Sequence, residues 1–124
     1  MLRVLLVEDN RPYREAFREN LHEYFPSIVI DEAATAEEAL PKVEATPPHL
    51  IFMDIRLPGM NGLRLTQKIK RDFPNIRIVM LTGYDVPEYR KAAAQYGADG
   101  FFAKESLKWE EVKELIESIE QFHL

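Results

Sequence analysis

Hydrophobic and polar positions alternate between two periods along this chain. Short continuous apolar runs, expected of strands covered on both faces, are separated by stretches with apolar residues every three or four positions. Val4 to Val7 is the first run, and it ends at Glu8-Asp9. From Pro12 to Phe25, Tyr13, Phe17, Leu21 and Tyr24 fall at helical spacing; Pro12 suits a first turn and Pro26 marks the stop. Ile28 to Ile30 predicts a second strand. Thr35-Ala36-Glu37-Glu38 is a capping box, in which the Thr35 hydroxyl accepts from the Glu38 amide and the Glu38 side chain reaches back. Pro41 falls inside the helix that follows, where it removes a hydrogen bond and crowds the preceding turn. A kink, or a short and displaced helix, is expected there, and Pro47-Pro48 closes the segment.

Leu50 to Met53 is a third strand, ending at Asp54, and Leu57-Pro58-Gly59-Met60-Asn61-Gly62 is loop chemistry. Leu63, Thr66, Ile69 and Phe73 predict the inner face of a third helix. Ile76 to Leu81 is a fourth strand ending at Thr82. Asp85-Val86-Pro87 opens a fourth helix, whose Ala92-Ala93-Ala94 run permits close approach and whose terminator is Gly97. Gly100 to Ala103 is a fifth strand ending at Lys104. Val112, Leu115, Ile116, Ile119 and Phe122 share one face of a last helix. Five strand–helix units imply an α/β fold with a parallel sheet covered by helices on both faces. Right-handed crossovers leave few topologies, and the flavodoxin-like (βα)5 order 2-1-3-4-5 is the natural one. Residues 1–124 read as one domain, without linker or low-complexity tract.

Composition narrows the function classes. Hydrophobic residues make up 46% and charged residues 30%, the balance of a folded soluble chain. No cysteine is present, so disulfide frameworks and cysteine-based zinc sites are excluded. A formal net charge of −5 argues against direct nucleic-acid binding. The opening apolar run is too short for a secretory leader and no run could span a membrane, so a cytoplasmic location is expected.

In open parallel sheets, ligands bind beyond the carboxyl ends of the strands. Glu8 and Asp9, Asp54, Thr82 and Lys104 all fall there. Each alone has a plain reading as a solvated strand end, a cap, a turn hydroxyl or a surface lysine; together they place three acids, a hydroxyl and an amine at one rim. Three carboxylates in one place repel and raise one another's pKa values. A hard divalent cation relieves this, and Mg²⁺ suits a few carboxylates plus phosphate oxygens. Lys104 can pair with Asp54 in an empty site and clamp a phosphoryl oxygen in a full one, while Thr82 donates to the same group. A carboxylate nucleophile on phosphorus gives an aspartyl phosphate.

These residues also carry a family resemblance. The chain resembles, from end to end, the receiver domain of two-component response regulators. Val4 to Asn10 is similar to the family's first strand and acidic pair, and Met53 to Gly62 to its phosphorylation-site segment. Leu81-Thr82-Gly83 is similar to its switch hydroxyl, and Gly97 to Lys104 to its fifth strand and lysine. The resemblance implies that Asp54 takes a phosphoryl group from a sensor histidine kinase or phosphotransfer protein. It implies Mg²⁺ held by Glu8, Asp9, Asp54 and the backbone carbonyl of Arg56. It makes Thr82 and Lys104 contacts of the phosphoryl oxygens, and Phe101 the aromatic partner that turns inward as Thr82 moves. Arg56 and Tyr84, two residues beyond Asp54 and Thr82, would tune the lifetime of the phosphoryl group. An output or homodimer face is implied on the fourth helix, fifth strand and last helix, or on the first and last helices. Catalysis is limited to the domain's own phosphorylation and dephosphorylation.

Some positions depart from the commonest pattern. Glu8 replaces an Asp, which should preserve metal binding, and Glu105 stands where many receivers have proline. Lys104-Glu105-Ser106 is similar to receivers of LuxR-type transcriptional regulators. The chain ends just after the last helix, so it reads either as a stand-alone regulator or as the front of a longer one with a C-terminal DNA-binding domain. His22, His49 and His123 are dispersed and read as structural or solvated. Trp109 is either a partner contact or packed against its own helix. Other classes fit less well. A phosphorylation-independent interaction module of the same fold tends to lose the acid, hydroxyl or lysine, and all are present here. A dehalogenase-type phosphohydrolase wants an acid at Arg56, a flavin binder wants no Glu8-Asp9 facing its phosphate, and no P-loop is present.

Overall fold

The computed structural model describes residues 1–123; Leu124 lies outside the described residues, as do the side chains of Phe122 and His123, on which two of the sequence expectations fall. Five strands run parallel: β1 Arg3–Val7, β2 Val29–Ala33, β3 Leu50–Met53, β4 Arg77–Thr82 and β5 Gly100–Ala103. Their order is β2-β1-β3-β4-β5, as the alternation predicts. The helices are α1 Arg11–Tyr24, α2 Ala36–Ala45, α3 Gly62–Asp72, α4 Pro87–Gln95 and α5 Trp109–His123, with a short 3₁₀ turn at Lys104–Ser106.

Side chains alternate across the sheet, and that alternation builds two cores. Leu5, Val7, Ile51, Met53, Ile78 and Met80 face α2, α3 and α4, meeting Val43, Leu65 and Ala93. Val4, Leu6, Leu50, Phe52, Val79 and Leu81 face α1 and α5, meeting Phe17, Leu21, Val112 and Ile116. Each large side chain buried this way contributes about 1.5–3 kcal/mol before conformational entropy is counted. Of the predicted inner residues of α3, Leu63, Thr66 and Ile69 are buried, joined by Leu65, while Phe73 falls one residue past the helix as its C-cap and is partly buried.

Several boundaries move for identifiable reasons. β2 reaches Ala33 rather than stopping at Ile30, pairing Asp31 and Glu32 with Leu5 and Leu6 of β1. As an edge strand it is half exposed, so charged residues continue the ladder where an apolar run no longer does. α2 continues through Pro41 as a short helix of ten residues. Pro41 is exposed, so the Glu37 carbonyl it leaves without an N–H can be hydrated. Glu38 reaches one residue further back than expected: its Oε2 accepts from the Ala34 N–H at 2.8 Å, while Thr35 caps Glu38 at 3.1 Å. At the end of α4, Gly97 takes φ +95°. There Ala98 N–H bonds Ala93 O at 2.9 Å and Gly97 N–H bonds Ala94 O at 3.2 Å, a Schellman ending.

Trp109 corrects its expected packing. It lies across α1, 4.9 Å from the Phe17 ring and stacked at 5.7 Å on Tyr24. His22 is exposed, and His49 Nδ1 accepts from the Arg3 N–H at 2.9 Å. No helix among the described residues is long and apolar enough to cross a membrane.

Candidate functional site

The strand register brings the polar residues to one rim. Val7, Met53, Met80 and Phe101 pair in one row across the sheet. Glu8 and Asp54 come one step beyond, and Thr82 pairs with Ala103, the residue before Lys104. Backbone bonds hold the two acids in place: Glu8 N–H donates to Ala33 O and Asp54 N–H to Val7 O, both at 3.0 Å. Among the described residues the buried polar side chains are Glu8, Asp54, Thr66 and Thr82. Thr66 is a core residue of α3 that donates to Met80 Sδ at 3.5 Å. The other three sit at the rim.

Lys104 bridges the acids. Its Nζ lies 2.5 Å from Glu8 Oε1 and 3.3 Å from Asp54 Oδ2. The carboxylates of Glu8, Asp9 and Asp54 each offer an oxygen within 4.8 Å of the others, Asp9 being the exposed member. Burial pushes the Glu8 carboxyl up to about 7, and the Asp54 charge adds to this; Lys104 and the Asn10 N–H pull the other way. Glu8 Oε1 is shut off from solvent and, despite the short ion pair, receives no well-directed hydrogen bond. Three carboxylate oxygens crowded this closely, two of them on buried side chains, fit a hard divalent cation, whose charge would offset their repulsion and desolvation.

Thr82 is fully buried, and its Oγ1 accepts from the Tyr84 N–H at 3.2 Å. Arg56 and Tyr84 meet each other: the guanidinium carbon is 3.7 Å from the ring centroid, and Arg56 Nη2 is 3.5 Å from the Tyr89 hydroxyl. Phe101 is half buried, with the Arg90 guanidinium carbon 4.5 Å from its ring centroid. Arg90 is itself held by Asp85 at 2.6 Å and 3.1 Å. So Glu8, Asp9, Asp54 and Lys104 converge, while Arg56 and Tyr84 meet across the neighbouring loops and Phe101 stays in β5 beside Met80.

Three residues here were not singled out from the sequence. Arg14, in the second turn of α1, donates to the Glu8 carbonyl at 2.7 Å and pairs with Glu32 at 2.9 Å. Tyr13 places its ring 4.3 Å from Lys104 Nζ. Burial and the nearby Glu8 and Asp54 charges push its phenol up to about 12. Gly62 packs against the Asp54 backbone, where a Cβ would fall 1.9 Å from Asp54 O. The Asn61-Gly62 dipeptide was a visible turn signal, but its contact with Asp54 is tertiary. Tyr13 and Arg14 read from sequence only as members of an amphipathic helix.

Comparison with known proteins places this geometry. The sequence profile of the response regulator receiver domain matches residues 4–119. Response regulator GacA of Pseudomonas protegens is 32% identical over 104 residues, which are 84% of this chain and 49% of that protein. The chain thus spans about half the length of the curated relatives it matches. The solved structure of response regulator TrrA from Thermotoga maritima, in complex with Mg(2+)-BeF, is 33% identical with a TM-score of 0.84. That likeness covers 96% of this chain and 99% of that one. A two-component response regulator of the LuxR family from Aurantimonas sp. is also 33% identical, with a TM-score of 0.83, over 94% and 83% of the two chains. An acid cluster bridged by a lysine at the carboxyl edge of a 2-1-3-4-5 sheet, together with these matches, makes the chain a member of the response-regulator receiver-domain family.

Proposed function

We propose that residues 1–124 act as a phosphorylation-driven switch in which Asp54 is the acceptor. The observation that carries this is the meeting of Glu8, Asp9 and Asp54 oxygens within 4.8 Å under the ammonium of Lys104. An Asp54 oxygen bonds to phosphorus as the bond from phosphorus to the donor breaks. With a phosphohistidine donor on a sensor histidine kinase or phosphotransfer protein, the imidazole leaves with the electron pair and takes a proton from water. Glu8, Asp9, Asp54 and the Arg56 carbonyl would hold Mg²⁺, which when bound supplies charge neutralisation for the phosphoryl oxygens. Lys104 shifts from the carboxylates to a phosphoryl oxygen. Thr82 turns from the Tyr84 N–H to donate to another, and Phe101 turns inward behind it, shifting a pre-existing equilibrium. Arg56 and Tyr84 stand over the approach of hydrolytic water and set the lifetime of the product.

The catalysis is confined to the chain's own phosphorylation and dephosphorylation. The α4–β5–α5 or α1–α5 face would carry the output, including homodimerisation. The LuxR-type likeness supports a C-terminal DNA-binding domain in a longer cytoplasmic regulator, with no nucleic-acid contact by this domain itself. Incubation with acetyl phosphate and Mg²⁺ should add one phosphoryl group by intact mass, and Asp54→Asn should abolish it. An unmodified wild-type chain, or an adduct that persists in Asp54→Asn, contradicts the assignment.

A further inference from the structure

Lys104 stands at the end of β5, where a 3₁₀ turn begins. Its side chain is a flexible four-carbon stem carrying a compact charge. Two carboxylates attract that charge, Glu8 at 2.5 Å and Asp54 at 3.3 Å from Nζ. The ring of Tyr13 is on hand, 4.3 Å from Nζ, inside the roughly 6 Å reach of a cation–π contact. We propose that Tyr13 is a positioning residue for the phosphoryl-contacting lysine: its ring face binds the ammonium and keeps Nζ over Glu8 and Asp54.

The ring is itself well fixed. Tyr13 sits in the first turn of α1, where its N–H is capped by Asn10 Oδ1 at 3.1 Å. Its ring stacks 6.2 Å from Phe17, at an interplanar angle of 27°. Phe17 is anchored in the core, 5.0 Å from Phe52 of β3 and 4.9 Å from Trp109 at the start of α5. The lysine and the first residue of α5 therefore rest on neighbouring rings of one α1 column.

An aromatic face suits this task better than a third carboxylate would. It attracts the ammonium without adding charge that competes with phosphoryl oxygens. The attraction to a ring face is also broad in direction, so the amine can move between acceptors without leaving it. The consequence for phosphoryl transfer rests on the Asp54 reading above; the placement of the amine does not.

The test is a series at position 13: Tyr13→Phe, Tyr13→Leu, and phenylalanines with increasing ring fluorination, which keep the shape and drain the negative face. In metal-free protein the Lys104 ε-methylene protons should be shifted upfield by the ring in wild type and Tyr13→Phe, and should lose that shift in Tyr13→Leu. With saturating Mg²⁺ and acetyl phosphate, Tyr13→Phe should stay within about twofold of wild type, and Tyr13→Leu should slow by about fivefold. The fluorinated series should fall in steps between them. Added to Lys104→Ala, Tyr13→Leu should cause no further loss of Mg²⁺–beryllofluoride affinity. A normal rate and lysine shift in Tyr13→Leu overturn the proposal, and so does a loss in Tyr13→Phe equal to that in Tyr13→Leu. An upfield lysine in a wild-type chain that takes no phosphoryl group would sink the acceptor reading while upholding the positioning of the amine.

Discussion

On the α1 side of the rim, Lys104, Glu8 and Asp54 form a mostly buried cluster backed by the Tyr13 ring and the Arg14 guanidinium. On the α4 side, Arg56, Tyr84 and Arg90 are exposed and touch one another's elements through ring faces and a surface ion pair. The helices differ in the same sense. α1 starts with an Asn10 side-chain cap and buries Phe17 and Leu21, whereas α4 starts at Val86 without a side-chain cap and buries Ala93. Buried charges are energetically demanding and fix geometry. Exposed contacts are worth little and can exchange at low cost. One half of the rim is thus preorganised for chemistry, and the other is free to rearrange when the chemistry is done.

The largest break in that contrast should come from Lys104→Ala. It strips the compensating charge from two buried carboxylates, so the metal-free variant should lose about 3 kcal/mol at pH 8, by urea unfolding. Mg²⁺ should restore most of the loss. Equal stability of variant and wild type without metal would show that the cluster is more hydrated than its burial implies. A smaller but still large effect is expected at Gly62. A Cβ there would press on the Asp54 carbonyl at 1.9 Å, backbone that cannot turn aside, so Gly62→Ala should cost about 1–3 kcal/mol and slow phosphorylation. Gly83, on the looser side, faces open space within 4 Å, and Gly83→Ala should leave the midpoint unchanged.

Next in size is a pH effect confined to the buried half. Folding raises the Glu8 carboxyl from about 4.5 to about 7, mainly through burial. Between those values the folded chain holds more of this proton than the unfolded chain does. The Glu8 contribution to stability is therefore full below the lower value and is lost as pH rises through the upper one. Unfolding of metal-free protein across pH 4 to 8 should show this decline, and Glu8→Gln should flatten it. A wild-type curve parallel to that of Glu8→Gln would mean that Glu8 ionises as freely in the fold as outside it.

Sequence reached the residues at the strand ends more fully than the contacts that hold them, and the reason is physical. Glu8, Asp54, Thr82 and Lys104 follow apolar runs, and the rule that strand ends face the ligand edge turns sequence order into position. The core helix faces and the Gly97 ending were legible because periodicity and positive φ are local. Tyr13, Arg14 and Gly62 were not, since a ring over an amine, a guanidinium on a carbonyl and a glycine against a neighbouring backbone exist only after α1 and α3 have docked. The course of α2 through Pro41 and the continuation of β2 through Asp31 and Glu32 were hidden for a related reason. Exposure relieves the missing hydrogen bond in one, and an edge position admits charge in the other.

The smallest expected change in stability, and the sharpest test of the contrast, lies at Arg56. Its guanidinium is fully open to solvent apart from the Tyr84 face and a long contact to the Tyr89 hydroxyl, so Arg56→Ala should leave the unfolding midpoint where it is. The same change should alter the phosphoryl lifetime severalfold, because the Arg56–Tyr84 pair joins the loops that follow β3 and β4 at the mouth of the site. Tyr84→Ala should shift the lifetime similarly. In Arg56→Ala/Tyr84→Ala the two effects should fail to add, since each residue is placed by the other. Following decay of the phosphorylated protein by intact mass, with unfolding run in parallel, separates the two quantities. Additive lifetimes would mean that the pair does not act as one unit, and a large loss of stability would mean that the α4 side is as tightly built as the α1 side.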